Sequence, residues 1–398
     1  MKLSKRIQAM QESPVRKLVP IATKAKSLGK KVYHLNIGQP DIETPKVFMD
    51  AVNAHDSRII KYSFSQGEPK LIQAIQAYFK RDNIHFKDNE ILITNGGSEA
   101  VTFATIATCD PGDEILVPEP FYTNYNGFTG EVNATIKPIT TYAENGFRLP
   151  NKEAIEALIT PKTKAIMFSN PGNPTGTILT DDEMQMIAEL AIEHDLFIIS
   201  DEVYRGMAFD GLDSKSMGTV KGIEEHLIII ESVSKRYSAC GARIGAIASK
   251  NTALMLNILK LCQARLCVAT LEQVGASALY QLPDSYTKEI KNEYEKRRDI
   301  VYQTLNNIDG IVCEKPQGAF YVIIKLPVPD AEQFVVWLLE EFDVNNETVM
   351  LAPAEGFYAT EGLGKDEVRL AYVLNAEDMQ TAMNILKLGL KAYPERLI

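Results

Sequence analysis

Short apolar runs alternate with longer amphipathic segments between about residues 90 and 249. The runs are rich in isoleucine and apolar at successive positions, which is typical of strands buried on both faces. The intervening segments, such as 98–109 and 181–194, carry apolar residues at helical spacing. This alternation predicts an α/β fold with a mostly parallel sheet covered by helices. The predicted strands are residues 91–94, 114–117, 165–168, 196–199, 227–230 and 244–247.

A polar segment from about residue 286 to 307 predicts one long helix, whose charged side chains we expect to form a solvated face. Apolar and aromatic residues at 319–324 then predict a strand, and further helical patterns follow. A chain of 398 residues is too long for one ordinary core, so a second, smaller α+β domain is expected. The predicted division is 1–44 for an N-terminal arm and part of the small domain, 45–284 for the large domain, and 285–398 for the small C-terminal domain.

Composition narrows the classes of function. The formal charge of −10 argues against a nucleic-acid partner, because the phosphates would be repelled. The sequence has no apolar run of about 18 residues, so no membrane partner is expected. The basic N-terminus lacks the apolar core of a signal peptide, which favours a cytoplasmic protein. The five cysteines and five histidines are scattered without zinc-ligand spacing, so no metal site is expected.

The segment 232–245 follows the predicted strand 227–230 and concentrates polar chemistry in one loop. It carries Ser232, Ser234, Lys235 and Arg243 among small residues. A lysine amine can form a Schiff base with an aldehyde, and hydroxyls with a guanidinium can hold a phosphate. The loop therefore suits an aldehyde cofactor that carries a phosphate. Taken alone, a lysine after a strand is as often a solvated loop residue.

Two more polar groups follow predicted strands. Asn173 lies in Asn-Pro-Gly-Asn-Pro-Thr-Gly at 170–176, a rigid turn that can hold its amide against a ligand oxygen. Asp201 follows the predicted strand 196–199 and would be costly at a buried strand end without a positive partner, such as a protonated pyridine nitrogen. Tyr204, three residues later, could donate to a phenolate oxygen. The plain alternatives are a simple turn for the first segment and a helix cap for Asp201.

Glycines and a serine mark another strand-to-helix junction, in Thr-Asn-Gly-Gly-Ser-Glu-Ala at 94–100. Free backbone N–H groups and the helix dipole make such a junction an anion site. Neither Gly-x-Gly-x-x-Gly nor a Walker A motif occurs, which argues against dinucleotides and nucleoside triphosphates.

Together and in this order, these motifs make the chain resemble the class I/II aminotransferases, fold type I enzymes that use pyridoxal 5′-phosphate (PLP). The resemblance runs from Leu-Asn-Ile-Gly-Gln-Pro-Asp at 35–41 to Val-Arg-Leu-Ala-Tyr at 368–372 and includes the strong signatures Asn-Pro-x-Asn-Pro-Thr-Gly and Ser-x-Ser-Lys. It implies a large PLP-binding domain with a seven-stranded, mostly parallel sheet. It also implies transfer of an amino group from an L-amino acid to a 2-oxo acid such as 2-oxoglutarate, as in the aspartate-aminotransferase-like branch.

The resemblance also implies roles for single residues. Lys235 would form the Schiff base and move the substrate proton, and Asp201 would keep the pyridine nitrogen charged. Asn173 and Tyr204 would bind the phenolic oxygen, and Tyr122 would stack on the cofactor ring. The residues implied to hold the phosphate are Gly97, Ser98, Ser232, Ser234 and Arg243.

Three further positions concern the substrate and a second subunit. Arg369 matches an arginine that grips the substrate α-carboxylate, where a planar guanidinium can donate two parallel bonds. Gly38 matches a loop glycine whose backbone closes over that carboxylate. Tyr62 matches a tyrosine that reaches the phosphate of the neighbouring subunit, which implies a homodimer with shared active sites.

Substrate choice stays open at this point. An aspartate-specific site would need a second cation for the distal carboxylate of its substrate. Arg265 is a candidate for this cation but could equally be a structural helix arginine. β-Elimination by a carbon–sulfur lyase would use the same motifs. A cofactor-sensing regulator is disfavoured because the enzyme fold fills the chain, and a Rossmann oxidoreductase because its glycine motif is missing. The aromatic residues that could favour a bulky, for example aromatic, amino acid are Phe64, Tyr122, Tyr125 and Phe357.

Overall fold

The computed structural model describes residues 1–397, which form fourteen α-helices and twelve β-strands. The helices are α1 Lys5–Ala9, α2 Val19–Ser27, α3 Lys46–Asn53, α4 Pro69–Lys80, α5 Gly96–Thr108, α6 Asn124–Glu131, α7 Lys152–Glu156, α8 Asp181–Glu193, α9 Val233–Arg236, α10 Thr252–Arg265, α11 Thr270–Leu279, α12 Asp284–Leu305, α13 Ala331–Glu340 and α14 Ala376–Ala392. The strands are β1 Lys31–His34, β2 Ile91–Thr94, β3 Glu114–Glu119, β4 Thr135–Thr140, β5 Thr163–Ser169, β6 Phe197–Asp201, β7 Leu227–Ser232, β8 Gly245–Ala248, β9 Tyr321–Lys325, β10 Glu347–Met350, β11 Ala352–Pro353 and β12 Glu367–Ala371.

A seven-stranded sheet has the order β2-β8-β7-β6-β5-β3-β4. Only β8 runs against its neighbours, so the predicted mostly parallel α/β sheet is confirmed. The six predicted strands are present, and β4 is the seventh. Its sequence, Thr-Ile-Lys-Pro-Ile-Thr, lacks a continuous apolar run because β4 is an edge strand that pairs only with β3. The pattern of a doubly buried strand therefore does not apply to it.

Successive residues of the central strands pack on opposite faces of this sheet. Ile198 and Ile229 belong to one core cluster, with residues of α4, α8 and α11. Ile199 and Ile228 belong to another, with residues of α5 and α10. Since side chains alternate across a strand, uniformly apolar runs are what a sheet with two covered faces requires.

The remaining strands form two small sheets. β11, β12 and β9 make an antiparallel sheet, and β1 pairs in parallel with β10. Through β1, the N-terminal segment joins elements near the C-terminus, and both parts contribute residues to one core cluster with α12, α13 and α14. The predicted boundaries at 44/45 and 284/285 stay predictions.

The long helix predicted at 286–307 is α12, but its charged residues do not all face solvent. Arg297 and Arg298 are buried. Arg297 pairs with Asp41 at 2.6 Å, and Arg298 pairs with Asp210 at 2.9 Å. The expectation of a solvated face is therefore wrong at these two positions, because long-range carboxylates compensate the buried charges.

No helix within residues 1–397 is both long enough and apolar enough to cross a bilayer.

Candidate active site

The carboxyl ends of β2, β5, β6 and β7 open into one cavity of about 360 Å³. Polar residues that follow these strands in the sequence therefore meet in space, as expected for ligand sites in α/β sheets. Of the residues whose roles the family resemblance implied, only Tyr62 does not line the cavity. Those that line it are Gly38, Gly97, Ser98, Tyr122, Asn173, Asp201, Tyr204, Ser232, Ser234, Lys235, Arg243 and Arg369.

One end of the cavity is built to hold an anion. Gly97 and Ser98 lie in the first turn of α5, where backbone N–H groups are free. The hydroxyls of Ser232 and Ser234 are 2.9 Å apart, and Arg243 donates to the Cys240 carbonyl oxygen at 2.9 Å. Three kinds of donor thus converge, and together they could hold a phosphate group.

Gly96 keeps this end open. Its φ of +77° lies in the left-handed region, and a Cβ there would run into the Arg243 guanidinium. Glycine alone allows both the turn from β2 into α5 and the close approach of the arginine.

Lys235 lies on the short helix α9, directly after β7, and reaches into the cavity. Its Nζ donates to the carbonyl oxygen of Gly38 at 2.8 Å and lies 3.9 Å from the Cys240 sulfur. The next residue, Arg236, is fully buried and pairs with Glu231 of β7 at 2.9 Å. This internal ion pair fixes the position of the end of β7 and therefore of the Lys235 backbone.

Asp201 ends β6 and is buried. Its Oδ2 accepts a hydrogen bond from the Tyr125 hydroxyl at 2.8 Å, and burial raises the pKa of Asp201 to about 6. It makes no salt bridge within residues 1–397, so a cationic ligand nitrogen would relieve its desolvation. The helix-cap alternative is not what the structure shows, because a turn rather than a helix follows β6.

Tyr125 was expected only as an aromatic that could favour bulky substrates. In the structure it donates a hydrogen bond to Asp201, and its ring is buried. The two residues are 76 positions apart. Nothing in the local sequence predicts this contact, since a periodic pattern shows only which face of its own strand or helix is buried.

Tyr204 and Asn173 line the cavity together with a residue that the motifs did not include, Tyr321. The hydroxyls of Tyr204 and Tyr321 are 3.0 Å apart, and burial raises the pKa of Tyr204 well above its ordinary value. Tyr321 begins β9, inside the run that predicted a strand. A tyrosine hydroxyl on an otherwise apolar buried strand needs a partner, and this was the available signal.

Arg369 is buried on β12 between the rings of Tyr321 and Phe357, at 4.6 and 5.0 Å from their centroids. It donates to Asn173 Oδ1 at 3.1 Å and to the Asn36 carbonyl oxygen at 2.6 Å. Its Nε is buried without a hydrogen-bond partner among residues 1–397. A buried guanidinium with an unused donor is the expected form of a site that takes a carboxylate.

These features can be compared with known proteins. The chain matches the family model for aminotransferase class I and II over residues 30–386. The chain belongs to this family. It is an aminotransferase.

Relatives of this aminotransferase span its whole length. An aspartate aminotransferase of Bacillus subtilis (strain 168) is 31% identical over 97% of this chain and 98% of its own. The aromatic-amino-acid aminotransferase 2 of Thermococcus litoralis is 30% identical over 98% of this chain and 99% of its own. An alanine aminotransferase structure from Pyrococcus furiosus superimposes with a TM-score of 0.89, at 30% identity, over 98% of this chain and 100% of its own.

Arg265 of the aminotransferase does not reach the cavity. It donates to the carbonyl oxygens of Ser65 and Ile93 at 3.3 and 3.2 Å and lies 3.5 Å from Glu99. Of the two alternatives that the sequence left open, the structure therefore favours a structural arginine. Phe64 also lies outside the cavity and is exposed.

Proposed function

We propose that this aminotransferase binds PLP in the cavity at the sheet edge and moves an amino group from an L-amino acid to a 2-oxo acid such as 2-oxoglutarate. The observation that carries the proposal is the buried, unpaired Asp201, which lines the same cavity as Lys235. A buried carboxylate without a cation suits the protonated ring nitrogen of PLP, and the lysine suits its aldehyde.

Further residues fit the rest of that cofactor. The N-terminal turn of α5, with Ser232, Ser234 and Arg243, would hold the phosphate. Tyr204 and Asn173 would bind the phenolic oxygen, and Tyr122 would lie against the ring. Each part of the cofactor would meet a hydrogen-bond donor or an aromatic ring that lines the cavity, so the residues present fit PLP.

The mechanism follows from what each side chain can do. Bound PLP supplies an aldehyde that takes up the amino group and a ring that stores the electron pair released at Cα. Arg369 holds the substrate α-carboxylate, which fixes the Cα–H bond relative to Lys235. The Nζ of Lys235 would accept the proton released from Cα and would donate it to a second carbon, as a general acid–base at a fixed position. Asp201 holds the positive charge on the ring nitrogen throughout.

The choice between transamination and β-elimination is made by one assay. Purified protein with PLP would be given amino donors, with and without 2-oxoglutarate, and glutamate, pyruvate and ammonia would be measured. We expect glutamate formation that depends on the acceptor and disappears in Lys235→Ala. Pyruvate and ammonia released from a sulfur amino acid without any acceptor would instead indicate a carbon–sulfur lyase.

We also propose a homodimer with shared active sites. The segment before α4 exposes four large apolar side chains: Ile59, Ile60, Tyr62 and Phe64. Tyr62 is 83% exposed in the single chain and lies outside its own cavity. Clustered exposed apolar residues are typical of protein interfaces, so a second copy that covers this segment would receive Tyr62 near its phosphate site.

A cytoplasmic location is proposed as well, supported by the five cysteines, all of which are free.

Relatives differ in their named substrates, which include aspartate, alanine and aromatic amino acids. One structure of the Thermus thermophilus aspartate aminotransferase, at 27% identity and a TM-score of 0.88 over 98% of this chain and 100% of its own, contains maleate, a dicarboxylate. The choice of amino donor by this chain therefore depends on the side chains that line its own cavity.

A further inference from the structure

We infer that Arg16 binds the distal carboxylate of a dicarboxylic substrate, so that acidic amino acids and their 2-oxo acids are the preferred substrates. The inference rests on the proposed function and deepens it. Arg16 belongs to none of the motifs that identified the site, and it lies on the N-terminal segment between α1 and α2. The structure brings it to the lining of the cavity.

One of the cations that line the cavity has no group assigned to it in the proposed function. Four cationic side chains line it, Arg16, Lys235, Arg243 and Arg369, against the single acidic residue Asp201. In the proposed function Arg243 faces the phosphate, Lys235 the aldehyde and Arg369 the α-carboxylate, and Asp201 faces the ring nitrogen. Arg16 is the remaining positive charge, and a second carboxylate on the substrate would neutralise it.

The side chain of Arg16 is available for this contact. It is exposed and makes no side-chain hydrogen bond or salt bridge with any other residue between 1 and 397. The adjacent Lys17, by contrast, lies 2.6 Å from Glu332 and does not line the cavity. Two neighbouring cations on one segment thus differ in direction, and only the unpaired one faces the site.

The segment that carries Arg16 is tied to the arginine for the α-carboxylate. Asn36 Nδ2 donates to the carbonyl oxygen of Val15 at 3.0 Å, and the Asn36 carbonyl oxygen accepts from Arg369 at 2.6 Å. The backbone beside Arg16 is therefore only two hydrogen bonds away from Arg369. This connection fixes the backbone of the Arg16 segment relative to Arg369, so that both arginines can contact the same dicarboxylate.

The other candidate for this role, Arg265, is bound to groups outside the cavity. Arg265 donates to two backbone carbonyl oxygens and does not line the cavity. Among the residues that the structure describes, Arg16 is thus the cation that a distal carboxylate in this cavity can meet.

The test compares donors on the PLP-loaded enzyme. For Arg16→Gln we expect kcat/KM to fall about tenfold to a hundredfold with aspartate and glutamate, since a charge-assisted hydrogen bond is lost. With alanine, leucine and phenylalanine we expect a change of less than about threefold. Arg16→Lys should give intermediate losses with the acidic donors, because it keeps the charge but not the two-pronged geometry. Lys17→Gln is the matched control and should leave both classes of donor unchanged.

The outcomes separate this inference from the proposed function. Equal losses for acidic and neutral donors in Arg16→Gln, or no loss for acidic donors, would overturn the role of Arg16 while transamination itself stands. A wild-type enzyme that transaminates only neutral donors would do the same. If the wild type transaminates no donor at all, the proposed function falls first and takes the inference with it.

Discussion

The Nζ of Lys235 donates a hydrogen bond to the backbone carbonyl oxygen of Gly38 at 2.8 Å. The lysine follows a strand of the large sheet, whereas Gly38 follows β1, which pairs with β10 in a small sheet. A Cβ at Gly38 would overlap the hydroxyl of Tyr321, so only glycine lets this loop approach the cavity so closely. The contact joins the residue expected to move protons to the loop expected to cover the substrate.

Replacing Lys235 should remove the chemistry and leave the fold. We expect Lys235→Ala to lower kcat at least about a hundredfold, and up to about ten-thousandfold, because a positioned acid–base contributes that much. Circular dichroism should be unchanged, and PLP should still bind without the absorbance of a lysine-linked cofactor. Lys235→Arg is the control that keeps the charge; it should be equally inactive. Normal turnover in either variant would contradict the assignment.

Asp201→Asn should trade activity for stability in the protein without cofactor. Burial raises the pKa of Asp201 from 3.8 to about 6, so its ionised form is disfavoured in the folded state. The protonated carboxyl group of Asp201 therefore contributes to the stability of the folded state below about pH 4, and this contribution is lost as pH rises through 6. The asparagine variant avoids this loss and should be more stable above pH 6 by up to about 3 kcal/mol.

Urea unfolding of the cofactor-free proteins at pH 4 and pH 8 checks this prediction. The free energies of unfolding should coincide at the lower pH and differ at the higher one. Saturation with PLP should reduce the difference, because the ring nitrogen then compensates Asp201. A stability difference that does not vary with pH would show that another effect dominates.

The buried pair of Arg236 and Glu231 should be strongly coupled. The two side chains are 1% and 0% exposed and 2.9 Å apart. Arg236→Met alone should lower the free energy of unfolding by about 3–5 kcal/mol, because it removes the nearer of the two cations beside a buried carboxylate; the other, Arg205, lies 3.7 Å away. Glu231→Gln alone should also destabilise, and the double variant should lose clearly less than the sum. Strictly additive losses in urea unfolding would disprove the coupling.

Mixed dimers should reveal where Tyr62 acts. Tyr62→Ala and Lys235→Ala proteins, each with little activity, would be unfolded together, refolded with PLP and assayed. If Tyr62 serves the partner's site, each mixed dimer contains one site with both residues intact, and activity should rise above that of either parent. If Tyr62 served its own site, mixing would restore nothing. Size-exclusion chromatography of the parents controls for loss of the dimer.

Much of the site was accessible from the sequence because its residues follow strands. Asn173, Asp201 and Lys235 each follow an apolar run within a few residues. Parallel strands bring their carboxyl ends to one edge of the sheet. Tyr125 was assigned a different part, and Tyr321 was seen only as part of a strand. Their hydroxyls act on residues 76 and 117 positions away, and no local spacing encodes such contacts.

The amino-acid sequence alone specified the layered α/β fold, the order of the motifs and the chemistry that they could perform. It did so because periodic burial and turn residues act locally, within a strand, a helix or a loop. The burial of Arg297 and Arg298, the hydrogen bonds from Arg265 to backbone carbonyl oxygens and the position of Arg16 at the cavity became visible only in the folded chain. Whether an arginine meets solvent, a carboxylate or a ligand depends on partners far along the chain, and folding alone brings those partners together.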